Sequence, residues 1–369
     1  MNIAVTSDIT NLLANNAPVA FGISGGKDSA ALALAGNAYL NELGHTGPRL
    51  LIHSDLGDVE WKGSLVSCER LADRLGLELV IVRRAAGGLM ERWETRWHNN
   101  VARYCSLECV KLILPWSTAS MRFCTSELKT AIICRELIRR FPNRTILSAS
   151  GIRREESPKR AKAPIAQPQP RLTSATHATS GLDWHPIINW TKAEVLAYHE
   201  QLGFPLHEAY TTYGSSRVSC CFCILGSQAD LLAATTCADN HDIYRRMVDL
   251  EIASTFSFHD TAWLGDVAPQ LLSEQQRHGL ALAKGSAKLR EATEARIPPH
   301  LLYTKGWPTC MPTWREAQLL AEVRQSVATI VGLEIAYTTP ERILGRYEEL
   351  MQGRGQVEAT GVVQMGMVL

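Results

Sequence analysis

The 369-residue chain lacks the features that mark a protein for a membrane or for secretion. No apolar run approaches the roughly 20 residues needed to span a bilayer. The first residues, MNIAVTSDIT, have no charged n-region of the kind a signal peptide carries. A cytoplasmic protein is therefore expected. An excess of one charge is missing too: 38 Lys+Arg against 37 Asp+Glu leave a formal net charge of +1. Nothing draws the whole molecule toward nucleic acid or membrane, so any basic surface must be local. There is no internal repeat. Ten cysteines in a chain of this length do not make a secreted disulfide scaffold. In a reducing compartment they point to metal, cluster or sulfur chemistry wherever they group. What is present is a 46% hydrophobic, 20% charged chain with ample core, long enough for one large domain and a smaller one.

Residues 18–35, PVAFGISGGKDSAALALA, organise the rest. A short apolar run from Val19 to Ile23 meets Ser24, Gly25, Gly26, Lys27, Asp28 and Ser29, and an Ala/Leu-rich helical segment follows. The pattern predicts a buried strand, a tight glycine turn and a helix whose N-terminus faces the turn. Glycines let backbone N–H groups approach a ligand, and the helix dipole favours negative charge there. With two serine hydroxyls and Lys27, this is a phosphate cradle. The GxxxxGK[ST] spacing of a Walker A loop is absent.

Alternating segments then predict a doubly wound, mostly parallel α/β sheet, with strands at 49–53, 77–82 and 144–150 after the first. Ser54, Asp55 and Trp61 follow the second strand's C-terminal end, where such sheets bind ligands. Asp55 is a candidate for the nucleotide ribose or its magnesium, with helix N-capping as the alternative. Residues 89–123 break the alternation and read as an inserted helical or loop segment. A helix is expected from Arg122 to Arg140. Residues 135–171 hold ten Lys/Arg against three Asp/Glu. They suggest a phosphate or nucleic-acid contact or simply a solvated charge run, and their prolines suggest a mobile lid. An edge strand is expected at 184–190, and Thr191 with Glu194 forms a capping box for a helix ending at Gly203. Domain boundaries fall at 1–227 for the nucleotide-binding part and 228–352 for a helical C-terminal part. Its helices are expected at 228–236, 240–254, 269–283, 313–331 and 340–352, with a disordered tail at 353–369.

Cys220, Cys221 and Cys223 form a second constellation. Cys220-x-x-Cys223 is the spacing of two ligands on one metal or cluster, and Cys124 is the first distant donor, with Cys109 and Cys105 behind it. The metal-site residues are thus Cys124, Cys220, Cys221 and Cys223. A [4Fe-4S] cluster, Zn2+, a persulfide-carrying pair and buried structural cysteines are the open alternatives. Cys68, Cys134, Cys237 and Cys310 read as core.

SGGKDS at 24–29 resembles the pyrophosphate (PP) loop of the adenine-nucleotide α-hydrolase superfamily. HSDLGDVEW (53–61), RFCTSELK (122–129), GIRREES (151–157), HPIINWTKAEV (185–195) and HEAYTTYGSSRVSCCFCI (207–224) follow in order. Together they resemble the PAPS-reductase-like family over roughly residues 18–228, nearest the DNA phosphorothioation ATP pyrophosphatases of the DndC and SspD type. The resemblance implies an ATP pyrophosphatase, with ATP and Mg2+ as cofactors, DNA as substrate and a cysteine desulfurase as partner. Catalytic roles then fall to Ser24, Lys27, Asp28 and Cys124, and nucleotide contacts to Ser24 through Ser29, Ser54, Asp55, Trp61, Lys129, Arg153 and Arg160. The ECGxH-like nucleophile of true PAPS and APS reductases is missing, and Cys124 stands without a paired neighbour. Sulfonucleotide reduction is the alternative enzyme, and a non-catalytic nucleotide or cluster sensor the alternative class.

Overall fold

The computed structural model describes residues 2–259 and 262–360. The chain divides into two compact units, one made of 1–90 with 117–243 and the other of 91–116 with the chain from Tyr244 onward. Among the described residues no helix is long and apolar enough to cross a membrane.

The first unit is built on six strands: β1 (Val19–Ile23), β2 (Arg49–Asp55), β3 (Glu78–Arg83), β4 (Thr145–Ser150), β5 (Ala166–Pro168) and β6 (Ser180–Trp184). Their order is β3-β2-β1-β4-β6-β5, all parallel except β5. This is the doubly wound α/β sheet that the alternation predicts. Its helices include α1 (Ser7–Ala14), α2 (Lys27–Glu42) and α3 (Gly63–Leu75), before α4 (Leu89–Cys105) leads into the second unit. Back in the first unit come α5 (Phe123–Thr125), a π turn (Ser126–Thr130), α6 (Ala131–Arg140), α7 (Pro158–Ala161), α8 (Lys192–Leu202), α9 (Glu208–Thr211) and α10 (Gln228–Thr235).

Strand side chains alternate between the two faces, and both faces are buried. Val19, Phe21, Ile23, Leu51, Leu147 and Ala149 join one core with α1, α2, α3 and α8. Ala20, Leu50, Ile52, Val80 and Ile146 join the other with Cys134 and Leu137 of α6. The Ala/Leu-rich α2 is buried nearly all round, as its composition requires.

Two expectations are corrected here. The strand expected at the edge over 184–190 lies earlier, at Ser180–Trp184, and is an inner strand between β4 and β5, because Ile187 to Trp190 turn back into the core. The proline-rich stretch is ordered: Ser157 caps α7, and β5 runs antiparallel to β6 at the sheet edge. An edge strand tolerates Pro168 because its missing N–H interrupts no ladder.

The second unit is helical: part of α4, the later turns of α11 (His241–Ser254), α12 (Glu274–Glu294), α13 (Trp314–Val331) and α14 (Pro340–Thr360). Trp93, Trp116 and Phe258 pack edge to face in its interior, with ring centroids 5.1–6.0 Å apart. The helix expected at 269–283 starts later and runs further, because Pro269 opens only a short 3-10 turn and Ser273 caps α12 in a box with Gln276. The last helix continues past 352 to Thr360, and residues 361–369 of the expected tail lie outside the described residues.

Candidate functional site

The chain steps outward from β1 to β3 and then returns to place β4 on the other side of β1, so the sheet has a switch point between β1 and β4. Loops leaving the strand ends there diverge and open a crevice, the usual ligand site of such sheets. Ser24–Gly26 leaves β1 at this point. Gly151 leaves β4 so close by that a Cβ on it would stand 2.6 Å from the Asp28 carbonyl oxygen.

The loop is shaped by its own residues. Ser29 Oγ donates to the Gly26 carbonyl at 2.9 Å and accepts the Ser24 N–H at 3.2 Å, while Ser24 Oγ lies 3.5 Å from it. Gly25 adopts φ +74°, and Gly26 caps α2 with no side-chain partner. Among the described residues, the N–H groups of Gly25, Gly26, Asp28 and Ser29 have no protein acceptor. These donors at a helix N-terminus are what an anion requires.

Lys27 is 6% exposed. Its Nζ lies 3.2 Å from Asp28 Oδ2 and 3.4 Å from the Ser216 carbonyl, and 4.8 Å above the Tyr210 ring. Its N–H donates to the Tyr210 hydroxyl at 3.3 Å. Asp28 Oδ1 accepts from Arg153 Nε at 2.7 Å, and Arg153 Nη1 also meets Glu155 at 2.7 Å. Burial opposes the Arg153 charge, but Asp28 and the neighbouring glutamates outweigh it and hold its pKa above the ordinary value. Arg160 is paired with Glu156. The two arginines expected as phosphate clamps thus have carboxylate partners within the protein. Lys129, on the π turn, makes no ion pair among the described residues and is half-buried.

The residues after β2 are also committed. Ser54 Oγ donates to the Leu128 carbonyl and ties β2 to the π turn. Asp55 accepts the Gly57 N–H at 2.7 Å and lies 3.5 Å from Arg83. Trp61 is 2% exposed, stacked on Tyr213 at 5.6 Å and edge-on to His207. Its ring braces the 207–218 segment. Sequence reasoning missed His53, which is buried and lies 3.1 Å from Glu60 Oε2 and 3.8 Å from Cys68 Sγ. Burial lowers its pKa, but Cys68 and Glu60 raise it to a net value of about 10. His53 and Glu60 both fall within HSDLGDVEW, but their spacing of seven gives no sign that they pair.

Glu60 bridges Cys220 across a short antiparallel pairing, and Cys221 N–H donates to the Val59 carbonyl at 2.8 Å. The hairpin splits its cysteines. Cys221 Sγ donates to Val59 O at 3.1 Å, and burial pushes its pKa up to about 12. Cys220 is raised by burial and then by Cys223, with Lys129, Glu60 and Cys124 also acting on it. Cys223 and Cys124 thus act on Cys220 electrostatically, whereas Cys221 is turned to the Val59 carbonyl. Among the described residues no group of His, Cys, Asp and Glu is placed to hold a metal ion. The four-cysteine set does not fit a cluster or zinc as it stands. Cys105 and Cys109, the reserve ligands, belong to the second unit. Cys68, Cys134 and Cys237 are core, whereas Cys310 is only partly buried and donates to the His300 carbonyl.

Residues 18–225, more than half of the chain, match the model of the phosphoadenosine phosphosulfate reductase domain. The chain belongs to that family. Among solved structures, the phosphoadenylyl-sulfate reductase of Candida auris in a phosphate complex is similar at 13% identity, covering 59% of this chain and 97% of its own, with a TM-score of 0.36. The FMN adenylyltransferase of Candida glabrata with FMN and an ATP analogue is 18% identical, covering 59% and 67%, with a TM-score of 0.35. The U34-tRNA thiolase of Methanococcus maripaludis with its [4Fe-4S] cluster is 19% identical, covering 74% and 76%, with a TM-score of 0.35. Among curated proteins none matches the chain. As a member of the phosphoadenosine phosphosulfate reductase domain family, the chain carries its cradle and its cysteine hairpin inside the matched stretch.

Proposed function

We propose that this chain is an ATP pyrophosphatase that adenylates a substrate so that sulfur can replace oxygen on it. The observation that supports this best is the cradle at the switch point: four unclaimed N–H donors, two serine hydroxyls and a buried lysine on one turn. In this reading ATP lays its β and γ phosphates on Ser24–Ser29. A substrate oxygen attacks the α-phosphorus, a new P–O bond forms, and the α–β anhydride breaks with its electron pair on pyrophosphate. Lys27 and the loop N–H groups stabilise the charge gathering on that leaving group. Arg153 acts through Asp28, fixing the carboxylate beside Lys27 rather than touching phosphate. Lys129 is the cation left for the phosphates or the cysteines. Mg2+, when bound, would neutralise charge on the transferred phosphates; Asp28 and Asp55 would be the carboxylates to hold it, although each already accepts from a protein donor.

Adenylation turns a poor oxygen leaving group into AMP, which a sulfur nucleophile displaces. Cys124, Cys220 and Cys223 are the candidate sulfur-handling thiols, and no step here runs through a metal cluster. From the sequence resemblance, we propose a DNA backbone phosphate as the target and a cysteine desulfurase as the sulfur source. The test is pyrophosphate release from ATP by the purified protein, with DNA added. Ser24→Ala and Lys27→Ala should each lower it by at least about a hundredfold, the usual effect of removing one preorganised stabilising group. Absence of pyrophosphate with any nucleic acid sinks this assignment. Sulfite release from PAPS with reduced thioredoxin would make the chain a reductase instead, the activity its family is named for.

A further inference from the structure

Both polar groups of Lys27 that a phosphate would use touch one segment, residues 207–218, and Nζ also pairs with Asp28 at 3.2 Å. The backbone N–H donates to the Tyr210 hydroxyl, and Nζ donates to the Ser216 carbonyl. The same segment covers the glycine turn: a Cβ on Gly26 would meet Tyr210 Oη at 3.3 Å and Val218 at 3.5 Å. The Tyr210 oxygen therefore stands at the N-terminus of α2, where an anion's oxygen belongs. Beneath it, Asp230 anchors the segment by accepting the Ser216 N–H at 2.7 Å and the Ser215 hydroxyl at 3.3 Å, and it is itself held by Ser227. Only three residues separate Ser216 from Cys220, so a shift of the segment reaches the cysteine hairpin with little slack.

We propose that Tyr210 is a positioning residue that gates the phosphate cradle and links its occupancy to Cys220 and Cys223. The proposal rests on the nucleotide reading of the cradle. Before an anion binds, the phenol oxygen satisfies the Lys27 N–H, and the Ser216 carbonyl shares Nζ with the Asp28 carboxylate. A phosphate oxygen is a charged acceptor and makes the stronger bond to both donors, so it displaces the phenol and the Ser216 carbonyl. The 207–218 segment then moves and carries the hairpin with it. The thiols are thereby rearranged only when nucleotide is in place, which keeps a reactive sulfur from discharging before the substrate is activated.

The test uses the full chain with inorganic pyrophosphate and ATP as probes. Calorimetry reads affinity, and iodoacetamide labelling followed by peptide mass spectrometry reads Cys220 and Cys223. Saturating pyrophosphate should change labelling of wild-type Cys223 at least about threefold. Tyr210→Phe frees the Lys27 N–H and should bind pyrophosphate about twofold to tenfold tighter, the worth of one neutral hydrogen bond. Asp230→Asn loosens the segment without touching the cradle and should shift affinity in the same direction; it carries the prediction if Tyr210→Phe fails to fold. Weaker or unchanged affinity in both variants, or labelling unmoved by bound pyrophosphate, overturns the gate alone. If the wild type binds neither probe, the nucleotide reading falls together with it.

Discussion

A methyl group on residue 25 would stand 2.8 Å from the Ser64 carbonyl oxygen and 3.0 Å from Ser64 Cα, both backbone atoms that cannot swing aside. Gly25 also holds φ +74°, the left-handed region that costs a side-chain-bearing residue about 1–2 kcal/mol. Gly25→Ala should therefore lower unfolding free energy by at least about 1–2 kcal/mol in urea titrations. It should also weaken ATP binding about tenfold, the loss of one hydrogen bond to a charged group. ATP binding unchanged in a destabilised variant would show that the loop is only structural. Arg153 shows where residue-level reading stops. An arginine just past a strand end suggests a phosphate contact, and only the fold reveals that Asp28 already holds its Nε. Cys221 is similar, since three cysteines in four positions look equivalent until the Val59 carbonyl takes one of them out of the set.

Among the elements, those with a local signal were legible. The capping box Thr191/Glu194 sits where the sequence puts it, Thr313 and Glu316 box the start of the helix expected at 313–331, and Gly76 ends α3 in the left-handed conformation. Helix α12 was misplaced because its helical signal is weak. Gly279 and Gly285 interrupt its interior, and Pro269 offers a false start five residues before the true first residue, Glu274. The same weakness makes a prediction. A Cβ at Gly285 would meet nothing within 4 Å, and the position is helical and exposed. Gly285→Ala should stabilise the protein by about 0.5–1 kcal/mol by restricting the unfolded chain and favouring helix. A denaturation midpoint that stays put or falls would mean that the exposed face of α12 has a partner that the extra methyl disturbs. Long-range elements were less legible: the β5–β6 pairing joins a proline-rich stretch to a strand only after both have folded back.

At the scale of the whole molecule, the family match accounts for the nucleotide fold and leaves the helical unit with its own stability problem. Glu251 lies at the centre of that unit with no measurable exposure. It accepts N–H bonds from Phe258 at 2.7 Å and Leu264 at 2.8 Å on one oxygen, and from Gly265 at 3.0 Å on the other. Burial is the larger influence and pushes its pKa up to about 7 despite those three donors. The folded protein thus holds a proton on Glu251 over a range where the unfolded chain, with a carboxyl near 4.3, has released it. Stability from this group is complete below about pH 4.3 and is lost as pH rises through about 7, amounting to a few kcal/mol. Paired carboxylates such as Glu136, held down to about 2 by Arg139 and Arg140, act in the opposite direction and only at acid pH. Glu251→Gln removes the titration but leaves an amide N–H2 facing the Gly265 N–H. Its unfolding free energy should therefore be lower than wild type at pH 5 and should converge on it by pH 8. Parallel wild-type and mutant curves across that range would show that Glu251 stays ionised in the folded state, held by its three donors.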